Sequence, residues 1–109
     1  MQTKNKKIDL HKLLGLAKRA GKLQIGRSAV VNAIKQDRVK ILIIAEDASQ
    51  KISRELEKSE KDIQVLRFGV KNQLGEILGR DEVAVLAICD SHFSKAFLEA
   101  IDGDRILKK

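Results

Sequence analysis

The chain of 109 residues contains no proline, tryptophan or tyrosine, a single cysteine and three phenylalanines. It has neither a linker-like stretch nor an internal repeat to divide it, and its length suits one domain around one core. The lone thiol, Cys89, excludes an internal disulfide and a multi-cysteine zinc site, which fits a reducing compartment. No apolar run approaches the roughly 18 residues that a bilayer-spanning helix needs. The N-terminus is polar where a secretion signal is apolar. A cytoplasmic location, without a membrane partner, is therefore expected. The scarcity of aromatic rings also leaves little on which nucleic-acid bases could stack.

Positive charge is what the chain has in excess. It carries 22 lysines and arginines against 15 acidic residues, a net charge of +7, with an isoelectric point near 9.7. The resulting field favours polyanions, nucleic acid before an acidic membrane face. Basic residues are densest in the first forty positions, where Lys18, Arg19, Lys22, Arg27, Lys35, Arg38 and Lys40 follow the basic stretch MQTKNKK of residues 1–7. That opening stretch reads as a frayed arm, and residues 8–109 as the folded domain.

Hydropathy patterning predicts alternating helices and strands. From Ile8, apolar residues recur at Leu10, Leu13, Leu14 and Ala17, one face of a helix that Gly21 would stop. LQI (23–25) reads as a strand, followed by a helix with Ala29, Val30, Ala33 and Ile34 on one side. KILIIA (40–45) and VAVLAIC (83–89) are continuous apolar runs, the pattern of strands covered on both faces. Asp47, with Gln50 three residues later, resembles a capping box for a third helix that turns Ile52 and Leu56 inward. A strand over IQVLRF (63–68), a helix with Leu74, Ile77 and Leu78 ending near Gly79, and a last helix with Phe93, Ala96, Phe97, Ala100 and Ile101 complete the series. Central strands that are apolar throughout need helices on both sheet faces. The expected fold is thus a three-layer α/β/α sandwich with a small mixed sheet, although strand order cannot be read from the pattern.

Enzymatic signatures are weak. GLAKRAGK (15–22) superficially resembles a phosphate-binding loop, but its glycines are one residue too far apart and Leu23 stands where a magnesium-binding hydroxyl is needed. His11 and His92 are isolated, so no metal site is expected, and Cys89 serves as a small apolar residue at a strand end. Glu46 and Asp47 end a strand, a common place for functional groups, yet no nucleophile, base and orienting partner assemble around them. A non-enzyme without a cofactor is expected.

The stretch LQIGRSAVVNAI (23–34) is more informative, because it runs from a strand through Gly26 into a helix whose first residues are Arg27 and Ser28. A helix N-terminus exposes unpaired N–H groups and the positive end of the dipole, and glycine lets a phosphate or base edge approach the backbone. Equally, Gly26 could serve only as a tight turn and Ser28 as a helix cap.

Resemblance bears on that choice. AGKLQIGRSAVVNAIKQDRVKILIIAEDAS and, later, VKNQLGEILGRDEVAVLAI resemble the ribosomal protein superfamily typified by the L-seven-Ae and L-thirty-e proteins, and within it the small bacterial YlxQ-type proteins. The match runs from about Ile8 to Ile101, with the glycine turn, the I-I-A-E-D strand end, the K-x-x-L-G helix start and the A-V-x-A-I strand in order. It implies an α/β/α sandwich that binds structured RNA, often a kink-turn, without catalysis. It also implies a binding surface of Gly26, Arg27, Ser28, Ala29, Asn32 and Lys35, with Glu46 and Asp47, Lys71 and Asn72, and the loop Arg80-Asp81-Glu82. Lys22, Lys35 and Arg80 are expected to neutralise phosphates. The chain departs from the family's kink-turn pattern at Ser28 and Ala29, where larger hydrogen-bonding side chains would read guanine edges, since alanine offers no such group. Its 80–82 loop is charged where the family's is often apolar. Structured RNA, of the ribosome or kink-turn-like, is the expected partner of a monomer; the alternative is an adaptor that docks on the ribosome or a translation factor.

Overall fold

Four strands, β1 (Leu23–Ile25), β2 (Ile41–Ile44), β3 (Gln64–Arg67) and β4 (Val85–Ile88), form one sheet in the order β1-β4-β2-β3. The computed structural model describes residues 9–57 and 63–107. The basic arm assigned to residues 1–7 lies outside them, as does Ile8. β4 runs antiparallel to both β1 and β2, whereas β2 and β3 are parallel, so the sheet is mixed. Five helices are described: α1 (Leu10–Arg19), α2 (Arg27–Lys35), α3 (Gln50–Glu57), α4 (Lys71–Leu78) and α5 (Ser91–Leu107).

The apolar run ILII explains the layering. Its side chains alternate between faces, as a strand requires. Ile41 and Ile43 join Leu14 and Ala17 of α1, Leu74 and Leu78 of α4, and Phe97 and Ile101 of α5 in one cluster. Leu42 and Ile44 join Val30 of α2 and Leu56 of α3 in the other. All four β2 residues and all four of β4 are buried. Each fully buried side chain of this size contributes about 1.5–3 kcal/mol, which explains why these two strands occupy the centre and leave the edges to β1 and β3. The architecture is the α/β/α sandwich that the alternation of elements implied. Among the described residues, no helix is long and apolar enough to cross a membrane.

Local details correct two sequence readings. The cap of α3 is Ser49, whose Oγ accepts from the Ile52 N–H at 3.2 Å. Asp47 instead reaches across the chain, its Oδ1 accepting from the Lys71 N–H at 2.9 Å at the start of α4. Nor does Ser28 cap α2: it lies inside the first turn, and the N-cap is Gly26, without a side-chain hydrogen bond. Replacing Asp47 with Ala is therefore expected to cost about 1 kcal/mol through the N-terminus of α4. Chemical denaturation checks this, together with faster exchange of the Lys71 amide.

Candidate nucleic-acid interface

The pairing directions bring several loops to one end of the sheet. β1 ends where β4 begins, with Ile25 opposite Leu86, and β2 ends there too, with Ile44 opposite Val85. β3 is parallel to β2, so its end joins them. The Gly26 turn, the Glu46-Asp47 segment, the start of α4 and the approach to β4 are consequently neighbours, although up to sixty residues of sequence separate them. Hydrogen bonds hold them together: the Glu46 N–H donates to the Gly69 carbonyl at 2.8 Å, and the Val83 N–H to the Lys71 carbonyl at 3.1 Å.

Gly26 adopts φ 95° and ψ 160°, a conformation that L side chains rarely enter. Its own N–H is consumed by the Val85 carbonyl at 3.0 Å, and its carbonyl accepts the Val30 N–H at 2.9 Å. The amides left at the mouth of α2 are those of Arg27, Ser28 and Ala29, which have no acceptor one turn earlier in the helix. The other described helices each place a side-chain oxygen at this position. Asp9 accepts from the His11 N–H, Ser49 from Ile52, Asp47 from Lys71 and Asp90 from Phe93. Among the described residues, α2 alone starts without one, and the space where a Gly26 Cβ would sit is open to 4 Å.

Arg27, Ser28, Ala29, Asn32 and Lys35 line one shallow groove along α2. Its far wall is Glu55 of α3, a residue that the sequence did not single out. The Arg27 Nε–H donates to Glu55 Oε1 at 2.9 Å, and its second guanidinium arm meets Oε2. This hydrogen bonding holds the Glu55 carboxyl below the usual carboxylate range and raises the guanidinium further above its own. Both side chains remain exposed, at 53% and 37%, so the pair orients Arg27 without removing it from solvent. No local signal marks the pairing, because 28 residues separate the partners.

Other expected site residues take different places. Lys71 Nζ stands 4.0 Å from Glu82 Oε1, which joins the start of α4 to the 80–82 loop. Asn72 is exposed in the first turn of α4, and Arg80, also exposed, donates its N–H to the Gly75 carbonyl at 2.7 Å. Glu46 faces a separate depression with Gln50, Ser53, Arg54 and Arg67. Lys22 is not part of this end. Its carbonyl accepts the Cys89 N–H at 2.9 Å beyond the far end of β4, and its Nζ lies 3.9 Å from Asp90. Four residues of extended chain amount to about 13 Å, so nearness to Gly26 in sequence does not make Lys22 its neighbour.

Burial pushes the half-buried Cys89 thiol up, which leaves it a poor nucleophile. Among the described residues, no three His, Cys, Asp or Glu side chains are grouped so as to hold a metal ion. The arrangement offers what an anion or nucleic-acid binder needs: unspent amides, an oriented guanidinium, and amide and ammonium groups along one helix.

The chain has relatives among known proteins. The chain is 30% identical over 93 residues to the RNA-binding protein YlxQ of Enterococcus faecium, covering 84% of this chain and 89% of the relative. It is 29% identical over 92 residues to the protein of the same name from Bacillus subtilis (strain 168), covering 83% and 92%. Among solved structures, a Bacillus halodurans protein of unknown function superposes with a TM-score of 0.80 at 31% identity, over 86% of this chain and 97% of that one. The 15.5kD RNA binding protein of Giardia lamblia shares the fold, with a TM-score of 0.68 at 18% identity over 90% and 86% of the two chains. The pattern of the ribosomal protein L7Ae/L30e/S12e/Gadd45 family matches residues 8–98, and the chain belongs to that family.

Proposed function

We propose that this protein binds structured RNA, a ribosomal segment or a kink-turn-like element, and catalyses no reaction on it. The observation that carries this reading is the uncapped start of α2. There, the Arg27, Ser28 and Ala29 amides have no side-chain cap, and the same three residues line a groove with Asn32 and Lys35. The names of the relatives point to the same class of ligand. In this reading the amides take a phosphate or a base edge, and Arg27 adds a forked contact beside them. Asn32 supplies both a donor and an acceptor to a base. Ala29 contributes only its backbone. Lys35 in the groove neutralises backbone charge, and so do Lys71 and Arg80 beside α4 on the other sheet face.

Engaging four phosphates through Arg27, Lys35, Lys71 and Arg80 contributes a slope of about −3 to the fall of log K with log salt. Binding by filter retention or fluorescence anisotropy across 50–300 mM salt tests this. A flat dependence would contradict it. Arg27→Ala is expected to weaken binding about 10- to 100-fold if the guanidinium reads a base, with discrimination between RNA sequences lost in parallel. If it meets only phosphate, the loss is the same for every sequence.

A further inference from the structure

The net charge of +7 does not gather at the Gly26 end of the sheet. Arg27 is matched there by Glu55 and Lys71 by Glu82, and Glu46, Asp47 and Asp81 are exposed nearby. At the opposite end Lys22, Arg38 and Lys40 stand against two acids, a local balance of +1. Lys22 leads into β1, and Arg38 and Lys40 lead into β2; β4 runs between these two strands and ends at Ile88. The Lys40 N–H donates to the Ile88 carbonyl at 2.9 Å and the Cys89 N–H to the Lys22 carbonyl at 2.9 Å, so these segments are fixed side by side. Asp37 and Asp90 are the acids at this end. Asp90 accepts from the Phe93 N–H through Oδ2 at 2.9 Å at the start of α5 and also pairs with Lys22, whose Nζ lies 3.9 Å from its Oδ1, which leaves Arg38 and Lys40 as the main cations of this end. Arg38 is held by its Nη1–H donating to Gln36 Oε1 at 2.8 Å and remains exposed.

We propose that this far end, centred on Arg38 and Lys40 with Lys22 beside them, is a second RNA-contacting surface, which grips the backbone of a helix flanking the element bound at the Gly26 groove. The inference rests on the RNA-binding reading above. Continuity favours RNA over a separate acidic partner, because α2 connects the two ends. Its first residue is Arg27 and its last Lys35, about 12 Å further on, immediately before the turn that carries Arg38. That span is well under one turn of a nucleic-acid duplex, so a single RNA can touch both ends. The far end carries phosphate contacts and no base reading. Its cations are lysines and an arginine on loops, without an uncapped helix start.

The test compares the Arg38→Ala/Lys40→Ala double variant with the parent protein on a hairpin RNA that carries an internal loop between two helices. Engagement of both ends predicts a parent salt slope of about −4 to −5, shallower by about 1.5 in the double variant. It also predicts affinity about 5- to 30-fold lower near 100 mM salt, with an unchanged thermal midpoint. Lys12→Ala/Lys95→Ala removes equal charge from α1 and α5 and is expected to leave the slope as it was. If Arg27→Ala weakens binding but the Arg38/Lys40 variant keeps the parent's affinity and slope, the second surface is refuted and the groove stands. Equal losses in the Arg38/Lys40 and Lys12/Lys95 variants would refute it too, since net charge alone would then explain the effect. If neither Arg27 nor the Arg38/Lys40 pair matters, the RNA reading itself fails.

Discussion

Replacing Gly26 with alanine is expected to lower the thermal midpoint by several degrees and to reduce RNA affinity at least about tenfold. The reason is conformational and not a matter of space. At φ 95° and ψ 160° a β-carbon is strained wherever it points, and nothing lies within 4 Å of where it would sit. Strain of this kind costs about 1–3 kcal/mol. The turn can relieve it only by rotating, which breaks the Gly26 N–H bond to Val85 or tilts the first turn of α2, and either change misaims the Arg27, Ser28 and Ala29 amides. Thermal unfolding measures the first effect and an RNA titration the second. A variant with parental stability and parental affinity would show that the turn is not held in this geometry.

Gly75→Ala is expected to destabilise by about 1–2 kcal/mol and to push the 80–82 loop off α4. A β-carbon there would lie 2.6 Å from the Asp81 carbonyl oxygen and 2.7 Å from that of Arg80, both backbone atoms. Alanine gains about 1 kcal/mol over glycine inside a helix, whereas overpacking costs about 1–3 kcal/mol. The clash wins because the loop is tied on both sides, by the Arg80 N–H to the Gly75 carbonyl and by the Val83 N–H to the Lys71 carbonyl. Gly15 provides the contrast. It also sits in a helix, but its added carbon would meet only Ile77 Cγ2 at 3.7 Å, an ordinary contact. Gly15→Ala should stabilise by about 0.5–1 kcal/mol, so the two variants move in opposite directions in urea. Destabilisation by both, or by neither, would contradict the packing described.

Features set by local pattern were legible in the sequence. The runs KILIIA and VAVLAIC mark the two central strands because burial on both faces leaves no polar position, and the Phe93–Ile101 spacing marks α5 for the same energetic reason. What pairs across the fold was not legible. Asp47 and Gln50 have the spacing of a capping box, yet Ser49 stands closer to the helix start and takes that role, which leaves the Asp47 carboxylate for an amide 24 residues away. Glu55 gives no sign of its partner until α2 and α3 are seen on the same sheet face. Gly75 looks like an ordinary helical glycine until the returning loop is placed against it. Basic residues crowded in the first forty positions gave the impression of one patch. A strand carries neighbours in sequence to opposite ends of the sheet, and this divides Lys22 from Arg27.

The most direct test is a nitrogen-15 amide titration of the whole protein with an internal-loop hairpin RNA at about 100 mM salt. Binding at the mouth of α2 predicts progressive, saturable shifts of the Arg27, Ser28 and Ala29 amides and of the Arg27 side-chain Nε–H as it leaves or shares Glu55. RNA that binds while these four resonances stay in place would contradict the assignment of the site.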